Sequence, residues 1–107
     1  MKKLLKKVLH WLTTNPLKYK FVFVLWEDAN SDSSWSELST IEAMLPTICI
    51  STGFIIKQSP NALVLASDFT TDLKNGQCII SEAGNTMVIP TRNVLKIVPI
   101  PLNLKNK

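Results

Sequence analysis

One histidine, two cysteines and eight carboxylates are what this chain has for catalysis, and their spacing does not assemble a catalytic or metal-binding set. His10 stands among Lys2, Lys3, Lys6 and Lys7, so a Ser-His-Asp arrangement would need a terminal arm to deliver the base to a nucleophile held elsewhere. A solvated residue is the expectation. Cys49 and Cys78 lie in the apolar runs Thr-Ile-Cys-Ile and Gln-Cys-Ile-Ile and read as buried free thiols. A disulfide between them requires strands that bring their Cα atoms to about 5.5 Å. With one distant histidine they do not meet the ligand spacing of a zinc site. The pairs Glu27/Asp28 and Asp68/Asp72 have the chemistry for proton transfer or for a divalent cation, yet both sit among turn-forming residues and read as loop carboxylates. Three glycines are too scattered for a phosphate-cradling loop. The expectation is a protein that is not an enzyme and carries no cofactor or metal.

Binding residues are easier to find. Trp35 is surrounded by Ser, Asp and Glu, so its ring is either folded back as a lid or offered to a partner. Arg92 is the only arginine, flanked by Thr91 and Asn93, and its guanidinium fork suits a phosphate or carboxylate or, more plainly, a surface ion pair. The charge distribution adds a third candidate. Residues 1–26 hold six Lys and no acid, whereas residues 27–107 hold six Lys/Arg against eight Asp/Glu, so the net +4 is carried by the first residues. Such an arm implies an electrostatic partner: nucleic acid, an anionic membrane surface or an acidic protein.

The elements that must position these residues follow from periodicity. Between Lys2 and Thr13, Leu4, Leu5, Val8, Leu9 and Leu12 fall on one face of a helix, with the lysines and His10 on the other and Trp11 placed to sit at an interface. Asn15-Pro16 ends it. Some twelve residues make a helix too short to be stable alone, so this one must dock. Phe21 to Trp26 reads as a strand buried on both faces, and Glu27 to Ser36 as a polar loop. A short helix follows near 36–45, capped by Ser34 or Ser36, with Ile41, Met44 and Leu45 inward and Pro46 closing it.

After Pro46 the pattern is period two. Residues 48–56 form a strand with Gly53 at a bend or bulge, and 62–67 the returning strand. A loop spans 68–76, and Glu82-Ala83-Gly84-Asn85 makes a tight reversal between 77–81 and 86–89. Pro90-Thr91-Arg92-Asn93 is a single turn before a last strand over 94–100. Trp26 and Phe54 are expected in the core. The fold class is thus mainly β, a small SH3-like or Sm-like barrel of about five to six strands with an N-terminal amphipathic helix. The division is a basic helix over 1–16, a barrel over 17–101 and a flexible basic tail over 102–107. No segment reaches the roughly 20 apolar residues of a membrane span, and no secretory leader is visible, so a cytoplasmic location is expected.

Trp26-Glu27-Asp28 with Trp35 downstream, Ile50-Ser51-Thr52-Gly53-Phe54, Val64-Leu65-Ala66-Ser67, and Val88-Ile89-Pro90 with Val94-Leu95-Lys96-Ile97 resemble a group of small uncharacterised phage and prophage proteins. The likeness covers roughly three quarters of the chain. It departs at Phe54, where those proteins tend to carry Trp, and the basic helix before Phe21 looks like an addition. What it implies is a phage origin, and hence the cytoplasm of an infected or lysogenic bacterium, with a small β-barrel and no particular activity. The architecture is also similar to that of Sm-like RNA-binding proteins, without a convincing match to their RNA-gripping loops.

Three functional readings emerge. The first is a phage-encoded binding module that sequesters or inhibits a host component, either a host protein or a small anionic nucleotide signal, as an oligomer. The second is a nucleic-acid-binding protein whose arm contacts phosphates and whose barrel offers an aromatic platform. The third is peripheral membrane attachment through the helix. Against all three stands simple packing of the helix stripe on the barrel of its own chain or of a neighbour.

Overall fold

The computed structural model describes residues 2–14, 18–75 and 77–101. Helix α1 spans Lys2–Thr14, β1 Phe21–Asp28, α2 Leu38–Glu42, β2 Thr47–Gln58, β3 Ala62–Lys74, β4 Gln77–Pro90 and β5 Val94–Pro99, with a 3-10 turn over Thr91–Asn93 between the last two strands. The protein is mainly β. All strand pairings are antiparallel, in the order β4-β3-β2-β1-β5. Among the described residues no helix is long and apolar enough to cross a membrane. The helix stop at Asn15-Pro16, the tail over 102–107 and the side chains of Trp11 and Cys78 lie outside what the structure describes.

A three-residue turn joins the two edge strands of this sheet, which a flat sheet does not permit. Four strand spacings of about 4.8 Å put the edges some 19 Å apart, whereas the four steps from Pro90 to Val94 reach at most about 14 Å even when fully extended. The sheet must therefore curl. Strand β2 is long enough to do this: its residues 47–54 pair with β1, its residues 54–58 pair with β3, and the register shifts between Ile55 and Lys57. Val22, Val24, Leu63, Leu65 and Ile89, from β1, β3 and β4, consequently bury one another on the inner face, with Trp26, Ile55, Val94 and Ile97 packed around them. No ladder joins β4 to β5 among the described residues, so the curled sheet stays open.

The bulge lies past Gly53, and the glycine has another purpose. A Cβ there would meet Leu65 Cβ and the Ala66 carbonyl oxygen at 3.2 Å each, so β3 crosses at a distance that only hydrogen allows. Strand β1 departs from its expected burial on both faces: Val22 and Val24 are buried, but Phe23 is 41% exposed. A single curled sheet has one inside, and period two sends alternate residues out of it.

Most of the expected loop at 68–76 and the reversal at 82–85 are instead strand. Residues 68–74 and 77–84 form a two-stranded ribbon of β3 and β4 that continues beyond β2, with Asn75 in the turn. Asn75 has φ 53°, as the first residue of an Asn-Gly hairpin turn requires. Asn85 also has a positive φ, 52°, but within the strand, where its side-chain amide donates to the Asp68 carboxylate across the ribbon. The turn chemistry read from Gly84-Asn85 yields a single left-handed residue, with pairing maintained on either side. The molecule measures 64 × 27 × 24 Å, with a radius of gyration of 19.4 Å. A compact domain of this length has about 13 Å.

Candidate functional site

The 3-10 turn carrying Arg92 is riveted at both ends by the residues beside it. Thr91 Oγ1 donates to the Ser59 carbonyl at 2.8 Å and Thr91 N donates to the Asn61 carbonyl at 3.2 Å, fixing the turn to the β2–β3 connection. Asn93 Nδ2 donates to the Glu27 carbonyl at 3.0 Å, fixing it to the end of β1. Both side chains are half-buried and engaged in the fold, leaving Arg92 as the group displayed between them. Arg92 is exposed and has no ion-pair partner among the described residues, so the plain surface ion pair is not what the structure shows.

The strand end held by Asn93 is also where the long β1–β2 connection departs. Asn30 pinches the base of that connection: its Nδ2 donates to the Leu45 carbonyl at 2.6 Å, and the Thr47 hydroxyl donates to its Oδ1. Within the loop Asp32 Oδ1 accepts from Ser34 N at 2.9 Å and from Ser34 Oγ at 2.7 Å. These two bonds, the backbone one foremost, hold the Asp32 carboxyl below the usual carboxylate range. Beyond this turn Trp35 is bare, at 101% exposure. It is not a lid. Helix α2 has five residues, begins after Glu37 without a side-chain cap from Ser34 or Ser36, and buries none of its residues. Ile41, Met44 and Leu45, expected to point inward, are exposed, because among the described residues the connection is tied down at its base through Asn30 and not along α2.

The arm is a third region. Lys2, Lys3, Lys6, Lys7 and His10 are exposed on α1, but so are Leu5 and Leu9 from the apolar stripe, while Val8 is half-buried. The helix approaches the sheet chiefly at β4. Docking on the protein's own sheet is therefore partial.

One arrangement escaped the sequence reading. Tyr19 stacks on Phe69 with centroids 5.4 Å apart, Phe69 lies 5.2 Å from Phe54, and Phe54 lies 4.9 Å from Phe21. All four rings are half-buried, with Lys18 Nζ 5.1 Å from the Tyr19 centroid. Phe54 therefore belongs to this row outside the buried cluster, while Trp26 packs against the cluster and donates its indole N–H to Ser51 Oγ at 3.0 Å. The row forms because Phe21 and Phe54 are in register, a fact of strand pairing that no local pattern announces. Cys49 is a half-buried free thiol. Among the described residues, no three of His, Cys, Asp and Glu gather as metal ligands would. Compared with protein-family models, curated proteins and solved structures, the chain matches none.

Proposed function

We propose that this chain is a non-enzymatic binding module of the phage type its residues resemble, a small SH3-like or Sm-like barrel that acts as an oligomer and sequesters a host protein in the bacterial cytoplasm. The observation that carries the reading is Trp35, a wholly exposed indole on a loop whose base is pinned. An exposed tryptophan gains most by burial in a partner's pocket, and such residues dominate the energetics of protein interfaces. Leu38 and Leu45 of the same connection are exposed as well. Asn93 ties the Arg92 turn to the strand from which this loop departs, which supports Arg92 as a charged contact at the rim.

Capture from bacterial lysate tests this, with the intact chain against Trp35→Ser and Arg92→Ala. Both residues are exposed, so neither variant disturbs the core. The expected result is one host protein retained by the intact chain and weakened at least about thirtyfold by Trp35→Ser, as for an interfacial hot spot of about 2 kcal/mol or more. Capture that is the same with Trp35→Ser overturns the reading.

The second reading, an anionic nucleotide or single-stranded nucleic acid, is favoured by the ring row and by Lys18 above Tyr19. Its test is the native mass of the protein purified from bacteria. An added mass of a few hundred daltons, released on denaturation, would support a bound nucleotide over a host protein.

A further inference from the structure

We propose that α1 of one copy lies on the outer face of β1 and β2 of a second copy, and that the exchange is reciprocal. The inference deepens the oligomer named above and rests on that part of the reading alone.

The register defines the receiving face. Phe23 opposite Thr52, Leu25 opposite Ile50, and Ile48 opposite Glu27 all point away from the side on which Val22 and Val24 are buried. Phe23 is 41%, Ile48 55% and Ile50 69% exposed, and Val98, opposite Phe23, carries the apolar surface onto β5. Isolated surface hydrophobics need no explanation, but Phe23, Leu25, Ile48, Ile50 and Val98 share one face of three neighbouring strands, and a contiguous apolar patch of this kind marks an interaction surface. The matching element is α1, whose Leu5 and Leu9, one helical turn apart, are 58% and 53% exposed. Thirteen residues make a helix about 20 Å long, which fits along the roughly 27 Å of the eight-residue β1.

Charge selects this pairing over others. The described part of α1 carries Lys2, Lys3, Lys6 and Lys7 and no acid. Residues 21–56 carry Glu27, Asp28, Asp32, Glu37 and Glu42 and no Lys or Arg. Lys96 of β5, opposite Leu25, is the single cation placed on the receiving face by the register. A basic helix with an apolar stripe thus meets an apolar face that carries Glu27 in its own register, on a stretch of chain that is acidic and free of Lys and Arg. In its own chain α1 lies chiefly at β4, three positions from β1 in the sheet, so this face is left to another copy. Because each copy has one helix and one face, a twofold axis satisfies both contacts at once and closes the assembly at two. Trp35, on the β1–β2 connection and outside both strands, is not needed for it.

Sedimentation velocity on the full chain reads the result. The expected species has twice the 12.0 kDa chain mass. Leu5→Glu with Leu9→Glu, and separately Ile50→Glu, should each weaken association at least tenfold while leaving the far-UV strand spectrum unchanged. Lys3→Glu with Lys7→Glu should weaken it too, and adding Glu27→Lys should restore it in part. A monomeric wild-type chain overturns the proposal, as does an oligomer indifferent to Leu5 and Leu9, which would point to pairing of the open β4 and β5 edges. So does a monomer that sediments with phosphatidylserine vesicles through the same leucines, since the occupant is then a membrane. If the dimer fails while Trp35-dependent capture persists, only the exchange is lost and the binding function stands.

Discussion

Replacing Gly53 by alanine adds one methyl group where β2 and β3 cross most closely, and the structure allows its effect to be worked out. The new Cβ would lie 3.2 Å from Leu65 Cβ and 3.2 Å from the Ala66 carbonyl oxygen, with Ala66 C next at 3.6 Å. Carbon atoms prefer separations of about 3.5–4.0 Å, so the strand backbone must give by a few tenths of an ångström. Leu65 and Ala66 are buried and cannot swing aside. Overpacking of this kind costs about 1–3 kcal/mol, offset by roughly 0.5–1 kcal/mol from the smaller freedom of alanine in the unfolded chain. The net loss is about 1–2 kcal/mol, or roughly 5–15 °C in Tm for a domain of this size. Gly84→Ala is the matched control, because its Cβ would enter open space and no left-handed φ opposes it. It is expected to stabilise by about 0.4–1 kcal/mol. Thermal and urea unfolding followed by circular dichroism measures both. The reasoning fails if Gly53→Ala melts at or above the parent, or if the two alanines shift Tm in the same direction.

Thr91→Val and Asn93→Ala each remove one hydrogen bond from a half-buried side chain and should cost about 1 kcal/mol. Arg92→Ala, between them but exposed, should stay within about 0.5 kcal/mol of the parent in the same melts. Asp32 should titrate below an ordinary aspartate in a carboxyl NMR experiment. Since its folded pKa is depressed, its contribution to loop order is present above the unfolded value and disappears as pH falls through the folded one. Ser34→Ala removes only the hydroxyl bond, the lesser of the two causes, so the titration should move up part of the way; no movement would show that the hydroxyl bond is unimportant.

Much of the architecture was legible because it is written in short-range patterns. The leucine spacing of α1, the β-branched and aromatic run of β1 and the single turn at Thr91–Asn93 appear in the structure within a residue or two of where periodicity and proline place them. The Asn75-Gly76 dipeptide was also a readable hairpin signal. It was obscured by Asp68, Asp72, Gly84 and Asn85, which favour turns in isolation but here sit in a paired ribbon, with Asn85 taking its positive φ inside the strand. For the candidate site, the sequence singled out Trp35 and Arg92 by their chemical isolation, and both are exposed in the structure. It could not show that Thr91 and Asn93 are spent on the fold, since the carbonyls of Ser59 and Glu27 that they reach are 32 and 66 residues away.

By itself, then, the sequence determined which segments are helix and strand over most of the chain, and where its charge lies, because propensity, period and charge belong to neighbouring residues. Which apolar residues are inside was decided only by the tertiary structure. Val22 and Phe23 are adjacent and equally hydrophobic, yet one is buried and the other exposed, because a curled sheet has a single interior and pairing register chooses which alternate side chains enter it. The same register set the ring row of Tyr19, Phe69, Phe54 and Phe21 and left Ile48 and Ile50 facing outward, contacts between residues far apart in the chain that exist only once the strands have paired.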